Sequence, residues 1–358
     1  MRRPSAGPIL VNRHGETRVI LAALLSNYPR IGERPDEQVL RRAIQSADRG
    51  EISPAEVAAA EDEMTRLAIA DQAAAGLDIL TDGQVRWHDP VSHVARGLAG
   101  FRIEGLLRYF DTNTYYRQPA VTGPIGREKP FLVEAYRFAV GAAAPRPVKA
   151  IVTGPLTMAR LSRDTPRRGP HDLALQIASA LNREILDLEA AGAGLIQIDE
   201  PAIARHPEDA PILRLAMRRL VTGLTTARIL LATSFGDATP IAGDLALTPA
   251  DLIGLDARSS TGEGDAGAFA AGLAGAIPGE TGVALGIVDG RNTRLESADA
   301  TYERLARPIL QALVAAGGPK RAIHLTTSHG LEFLPRDVAR AKMSILATVR
   351  DRARQEFP

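Results

Sequence analysis

Leu188-Glu189-Ala190-Ala191-Gly192-Ala193-Gly194-Leu195-Ile196-Gln197-Ile198-Asp199-Glu200-Pro201-Ala202 is the stretch that decides the fold. A helical stretch gives way to the short apolar run Leu195–Ile198, which stops at two acids and a proline. A run this short, between helical patterns, reads as a buried strand of a β/α protein. Reading outward, seven more such runs follow the same rhythm: Val19–Leu25, Leu77–Leu80, Val148–Val152, Ile229–Thr233, Leu252–Leu255, Val283–Val288 and Ala322–Leu325. Helical patterns fall between them at Pro54–Ala75, His171–Ala191, Glu208–Arg228, Ser297–Ala316 and Pro335–Arg354. Eight strands predict an α/β fold of one (β/α)8 TIM barrel spanning 1–358, with an open doubly wound sheet as the main competitor. Residues 1–17 read as an N-terminal extension. Residues 99–125 lack helical period and read as a hairpin-like insertion after the second strand, over one end of the barrel. Residues 258–282, rich in Gly and Ala, read as a loop plus a helix.

Composition narrows the chemistry. The 358 residues include no Cys, which removes disulfides, cysteine nucleophiles, iron–sulfur clusters and thiolate zinc sites. Forty-three basic residues balance 42 acidic ones, so charge makes no case for nucleic acid or an anionic membrane. Lys occurs only at 129, 149, 320 and 342, so individual surface arginines carry little signal in this Arg-rich chain. No apolar run has membrane-spanning length and no signal peptide is expected. The expected compartment is the cytoplasm.

In a β/α barrel the site is built at the C-terminal ends of the strands. Here those ends carry Asn27-Tyr28-Pro29-Arg30, Asp82-Gly83-Gln84, Gly154-Pro155-Leu156-Thr157, Asp199-Glu200-Pro201, Ser234-Phe235-Gly236-Asp237, Asp256, Asp289-Gly290-Arg291-Asn292 and Ser328-His329-Gly330. Asp199 is the sharpest candidate, as an acid/base group or an ammonium anchor; a helix cap is the competing role. Asp82 is a second carboxylate or a plain turn residue. His329 is a candidate base or a hydrogen-bonded structural residue. Trp87-His88-Asp89-Pro90, after the second strand, could bring a tryptophan to the site or simply start a helix, and Tyr115-Tyr116-Arg117 could stack on and pair with a ligand or pack the insertion.

The run from Leu188 to Ala202 closely resembles the cobalamin-independent methionine synthase family. So do Tyr28-Pro29-Arg30, Thr81-Asp82-Gly83, Tyr115-Tyr116-Arg117 with Pro119, Gly154-Pro155-Leu156-Thr157 and Val288-Asp289-Gly290-Arg291-Asn292. The resemblance implies that family's catalytic barrel. It also implies methyl transfer from methyltetrahydrofolate to a thiol that zinc holds as thiolate, through a His, two Cys and a Glu. Those ligand positions fall here on Ala232, Ser234, Asp256 and His329, so the zinc site is expected to be lost. The family's pocket Ser falls on Asn27 and its ammonium-binding Glu on Gln84. An acid it places near the pterin is replaced by Arg205 and His206.

The resemblance therefore implies a methyl or one-carbon transferase acting on a small polar acceptor without thiolate–zinc activation. Asp199, His329 and Asp82 are the expected catalytic residues. Asn27, Arg30, Gln84, Trp87, Tyr115, Tyr116, Arg117, Glu200, Ser234, Asp237, Asp289 and Arg291 are the expected binding residues. The donor is a methyltetrahydrofolate or a methyl-corrinoid protein. A metal-free lyase or decarboxylase of the uroporphyrinogen decarboxylase type, and a non-catalytic binding barrel, are the alternatives.

Overall fold

The computed structural model describes residues 20–261, 266–317 and 321–358. The proposed 1–17 extension lies outside the described residues, as does Val19 of the first expected strand. In chain order the strands are β1 (Ile20–Ala23), β2 (Ala99–Arg108), β3 (Tyr115–Gly126), β4 (Ala150–Thr153), β5 (Arg163–Asp164), β6 (Leu195–Asp199), β7 (Arg228–Ala232), β8 (Leu252–Leu255), β9 (Gly282–Val288) and β10 (Ile323–Thr327).

Seven of them form one curled parallel sheet in the order β1-β10-β9-β8-β7-β6-β4. The expected second strand, 77–80, is not a strand of this sheet. It contributes two isolated parallel bridges, Ile79 to Ala23 of β1 and Leu80 to Val148 just before β4. β2 and β3 form the expected antiparallel hairpin, with the two-residue β5 added to it.

Alternation along β6 shows how the sheet is filled. Leu195 joins Ala23, Leu25, Ile79, Leu230, Ala232, Leu252 and Ala284 in a small apolar cluster inside the curl, whereas Ile196 and Ile198 join the large cluster shared with the helices. Gln197 and Asp199 follow Leu195 at period two, so they face inward too. Register sets Thr153, Asp199 and Ala232 side by side at the strand ends.

Local sequence starts the helices. Ser53 and Glu56 form a reciprocal capping box before Pro54, and the helix runs to Ala74. Asp89 caps Pro90–Arg96 through the amides of Val91 and Ser92. The expected helix Glu208–Arg228 is shorter, Ala210–Leu220, because a turn through Thr222 and Leu224 leads directly into β7. The stretch from Ser297 is broken: Ala298–Thr301, a π-helical turn at Tyr302–Ala306, then Arg307–Gly317. The 258–282 stretch holds helices Ala257–Thr261 and Ala266–Ala276. Helices at Val39–Asp48, Val133–Ala143 and Pro155–Leu161 were not anticipated, whereas the helix start weighed at Trp87-His88-Asp89-Pro90 is realised as Pro90–Arg96. No helix among the described residues is long and apolar enough to cross a membrane.

Candidate functional site at the strand ends

The centre of the mouth is a buried polar cluster around Asp199. Its Oδ1 accepts from Gln197 Nε2 at 2.6 Å and its Oδ2 from Ser26 Oγ at 3.0 Å. Lys149 lies below, donating from Nζ to the carbonyls of Leu24 (2.5 Å) and Leu25 (3.2 Å) and to Gln197 Oε1 (2.5 Å). Burial pushes the Asp199 carboxyl up and the Lys149 ammonium down, and their mutual attraction opposes both shifts. Glu332, just past β10, shares this environment. Burial, then the nearby Asp199, pushes its carboxyl up to about 7, and its Oε2 is buried without a hydrogen-bond partner.

Glu200 does a different job from the ligand binding expected of it. Its carboxylate accepts from the amides of Leu156 (2.9 Å) and Thr157 (2.7 Å) and from Thr157 Oγ1 (2.7 Å). It thereby caps Pro155–Leu161. A Cβ at Gly154 would fall 2.2 Å from the Glu200 carboxyl carbon, so only glycine leaves it room. Asp82 accepts from the Gln84 amide (3.0 Å) and Gln84 Nε2 (2.6 Å), and burial raises its pKa. Gln84 holds a left-handed φ of 50°, and its Oε1 is buried without a partner.

On the far side, His329 is locked. The Phe235 amide donates to its Nε2 at 3.0 Å, which leaves the proton on Nδ1, 2.7 Å from Ser328 Oγ. Burial, then Arg291, holds its pKa down near 3, so the ring is neutral and its lone pair is used. Asp256 lies 3.5 Å from the same Nε2, but its oxygens accept from Ser259 N (2.9 Å) and Ser259 Oγ (2.5 Å). Ala232 offers a methyl group. Ser234 is buried beside Phe235, whose ring centre is 4.4 Å from that of His329. These four residues do not make up a zinc ligand set: one imidazole with both nitrogens engaged and one carboxylate fall short of three or four free donors. Elsewhere among the described residues, His206, Glu208 and Asp209 come within ligand reach of one another. There Asp209 already binds Arg160 (2.6 Å) and His171 (2.9 Å).

The hairpin tip covers this side. Phe110 stacks on Phe235 with ring centres 5.4 Å apart, and Tyr109 meets Phe235 edge-on. Both phenylalanines hold left-handed φ values, 51° and 61°, a conformation uncommon for bulky residues and often found at functional sites. Asp111 pairs with Arg205 at 2.8 Å and Arg291 at 3.4 Å. Asp289 turns back onto the amide of Arg291 and the side chain of Asn292. Asp237 is exposed and accepts from Thr239 N and Ser260 Oγ.

Of the remaining expected binding residues, Asn27, Arg30, Trp87, Tyr115 and Tyr116 line one cleft with Glu332. Tyr116 donates its hydroxyl to the Leu161 carbonyl (2.9 Å), and Arg117 contacts Asp89 through its amide (3.1 Å). Sequence reading missed Lys149, Glu332, Ser26 and the tip residues Tyr109–Asp111. Lys149 had a signal, being one of four lysines and a charge inside the apolar run Val148–Val152.

Residues 28–349 match the family model described as the catalytic domain of cobalamin-independent synthase. A methionine synthase from Sulfurisphaera tokodaii is 31% identical over 313 residues, covering 87% of this chain and 88% of the relative. One from Saccharolobus solfataricus is 34% identical over 207 residues, 58% of this chain and 62% of the relative. A B12-independent methionine synthase from a Shewanella species, solved with selenomethionine, superposes with a TM-score of 0.76 at 21% identity, over 94% of this chain and 98% of that one. The family model and the relatives thus both span most of the chain, and the chain belongs to the cobalamin-independent methionine synthase family.

Proposed function

We propose that the chain transfers a methyl or one-carbon group from a folate-type donor to a small acceptor other than homocysteine, without a thiolate–zinc centre. The observation that carries this reading is the Phe235 ring against His329, where the amide of Phe235 occupies the imidazole lone pair. A family described as cobalamin-independent leaves no place for the corrinoid donor considered from sequence. The barrel is taken as closed, with 77–80 as the eighth stave through its bridges to β1 and to Val148.

In the transfer, a lone pair on the acceptor bonds to the methyl carbon, and the pair of the breaking C–N bond returns to nitrogen, which takes up a proton. A carboxyl kept protonated near neutrality is suited to supply it. Glu332, raised by burial to about 7, sits at the mouth and comes nearest that condition, and Asp199, raised by burial against the pull of Lys149, is the second candidate there. The lyase alternative rests on the barrel alone. The test is metal analysis of the purified protein together with a methyl-transfer assay from methyltetrahydrofolate. Sub-stoichiometric zinc and no methionine from homocysteine are expected; one tightly held zinc per chain with methionine formed would overturn the reading.

A further inference from the structure

Beside the hairpin, between the strand ends and the helix Val39–Asp48, lies a cleft of about 470 Å3. Its walls are apolar and largely aromatic: Leu40, Ile44, Trp87, Tyr109, Tyr115 and Phe333. At its rim Ile31, Tyr115 and Phe333 are 42%, 55% and 64% exposed, a concentration of large apolar side chains that marks binding surfaces.

The polar lining of the cleft is lopsided. Arg30 donates from Nε to the Val85 carbonyl (2.6 Å), but its Nη2 is buried without a hydrogen bond and 4.0 Å from the nearest carboxylate, Glu61. Arg41 is exposed on the rim and, among the described residues, has no ion pair. Burial, then Arg30, Arg117 and Arg96, lowers the pKa of His88, a sign of the positive field here. The carboxylate of Asp89 is consumed by Val91 N, Ser92 N, Ser92 Oγ and Arg117 N. Glu332 is the other carboxyl on the wall; burial raises its pKa to about 7, so it is mostly uncharged below neutrality, and its Oε2 lacks a partner. An unpaired buried donor or acceptor is unfavourable, and a ligand would relieve it.

We propose that this cleft binds a carboxylate with a planar apolar body: the carboxylate meets Arg30 and Arg41, the body lies among Trp87, Tyr115 and Phe333, and Glu332 is the remaining polar partner. A zwitterionic ligand fits less well below neutrality, because its ammonium would lie beside two guanidiniums while Glu332 is mostly protonated. The cleft shares Glu332 with the mouth of the proposed transferase, so the proposal rests on that reading for its place and adds the ligand class, while binding itself requires no methyl transfer.

Trp87 is the chain's one tryptophan, so its fluorescence reports on the cleft directly. The probes are phenylacetate, its neutral isostere phenylacetamide, and L-phenylalanine, with affinities checked by calorimetry. Phenylacetate is expected to give saturable binding, with the other two at least about tenfold weaker, as loss of a charge-assisted pair implies. Arg30→Gln is expected to weaken phenylacetate by a similar factor. Arg41→Gln, on the exposed rim, gives a smaller loss in the same direction and stands in if the first variant fails to fold. Absence of saturable phenylacetate binding, equal binding of the amide, tighter binding of L-phenylalanine, or binding indifferent to both arginines would overturn the proposal. A failed transferase assay leaves it standing, and failed probe binding leaves the transferase reading standing.

Discussion

Glu332→Gln isolates the energetic cost of one carboxyl at the mouth. Burial and Asp199 raise its pKa from 4.5 to about 7. Below pH 4.5 the group is protonated folded and unfolded, so the full stability is present. Between 4.5 and 7 the unfolded chain ionises while the folded one holds its proton, and stability falls by ~1.4 kcal/mol per pH unit. The loss is complete above the folded pKa, at roughly 3 kcal/mol. Glutamine has the shape of the neutral acid and cannot ionise. The variant should therefore match the wild type at pH 4 and exceed it by ~2–3 kcal/mol at pH 8. Denaturant unfolding of both proteins from pH 4 to 8 measures this, and the difference between the curves cancels other raised acids such as Glu200 and Asp256. A difference that stays flat across the range would refute the assignment of Glu332 as a buried neutral acid.

Glu200→Ala removes three hydrogen bonds from the start of Pro155–Leu161 and should cost about 3 kcal/mol in denaturant unfolding, whatever the assay for activity shows. Asp199→Ala should keep the circular dichroism spectrum of the fold while transferase activity drops at least about 100-fold; a variant that unfolds would make Asp199 a structural residue. Asp111→Asn removes two exposed ion pairs, so stability should change by less than about 1 kcal/mol. Amide exchange at Tyr109–Thr114 should nevertheless rise clearly.

Strand positions were legible because a buried parallel strand is a short apolar run, and seven of the eight expected runs pair in the sheet. The eighth, Leu77–Leu80, has the right composition but makes only two bridges, which composition cannot reveal. The hairpin was legible from its missing helical period. The short helices were not, since at Pro155–Leu161 the start is set by Glu200, 44 residues away along the chain. At the mouth, sequence position located Asp199, Arg30 and Trp87 but could not assign their partners. Glu200 reads in sequence as a binding residue, yet its three donors come from Leu156 and Thr157, and His329 reads as a base, yet the Phe235 amide sits on its lone pair. Glu332 went unnoticed because its character comes from burial beside Asp199, a contact between the ends of β10 and β6.

The clasp at Asp111 also bears on the order in which the molecule assembles. β2 and β3 are joined by a short tip, so their pairing closes a small loop and can form early. The tip's partners come much later in the chain: Arg205 follows β6, and Arg291, 180 residues beyond Asp111, follows β9. Contacts of such separation close a far longer loop than the hairpin's own pairing does. The hairpin is thus local in its pairing and long-range in its docking. Phe110 on Phe235 and Asp111 on Arg291 tie one local unit to the ends of β7 and β9.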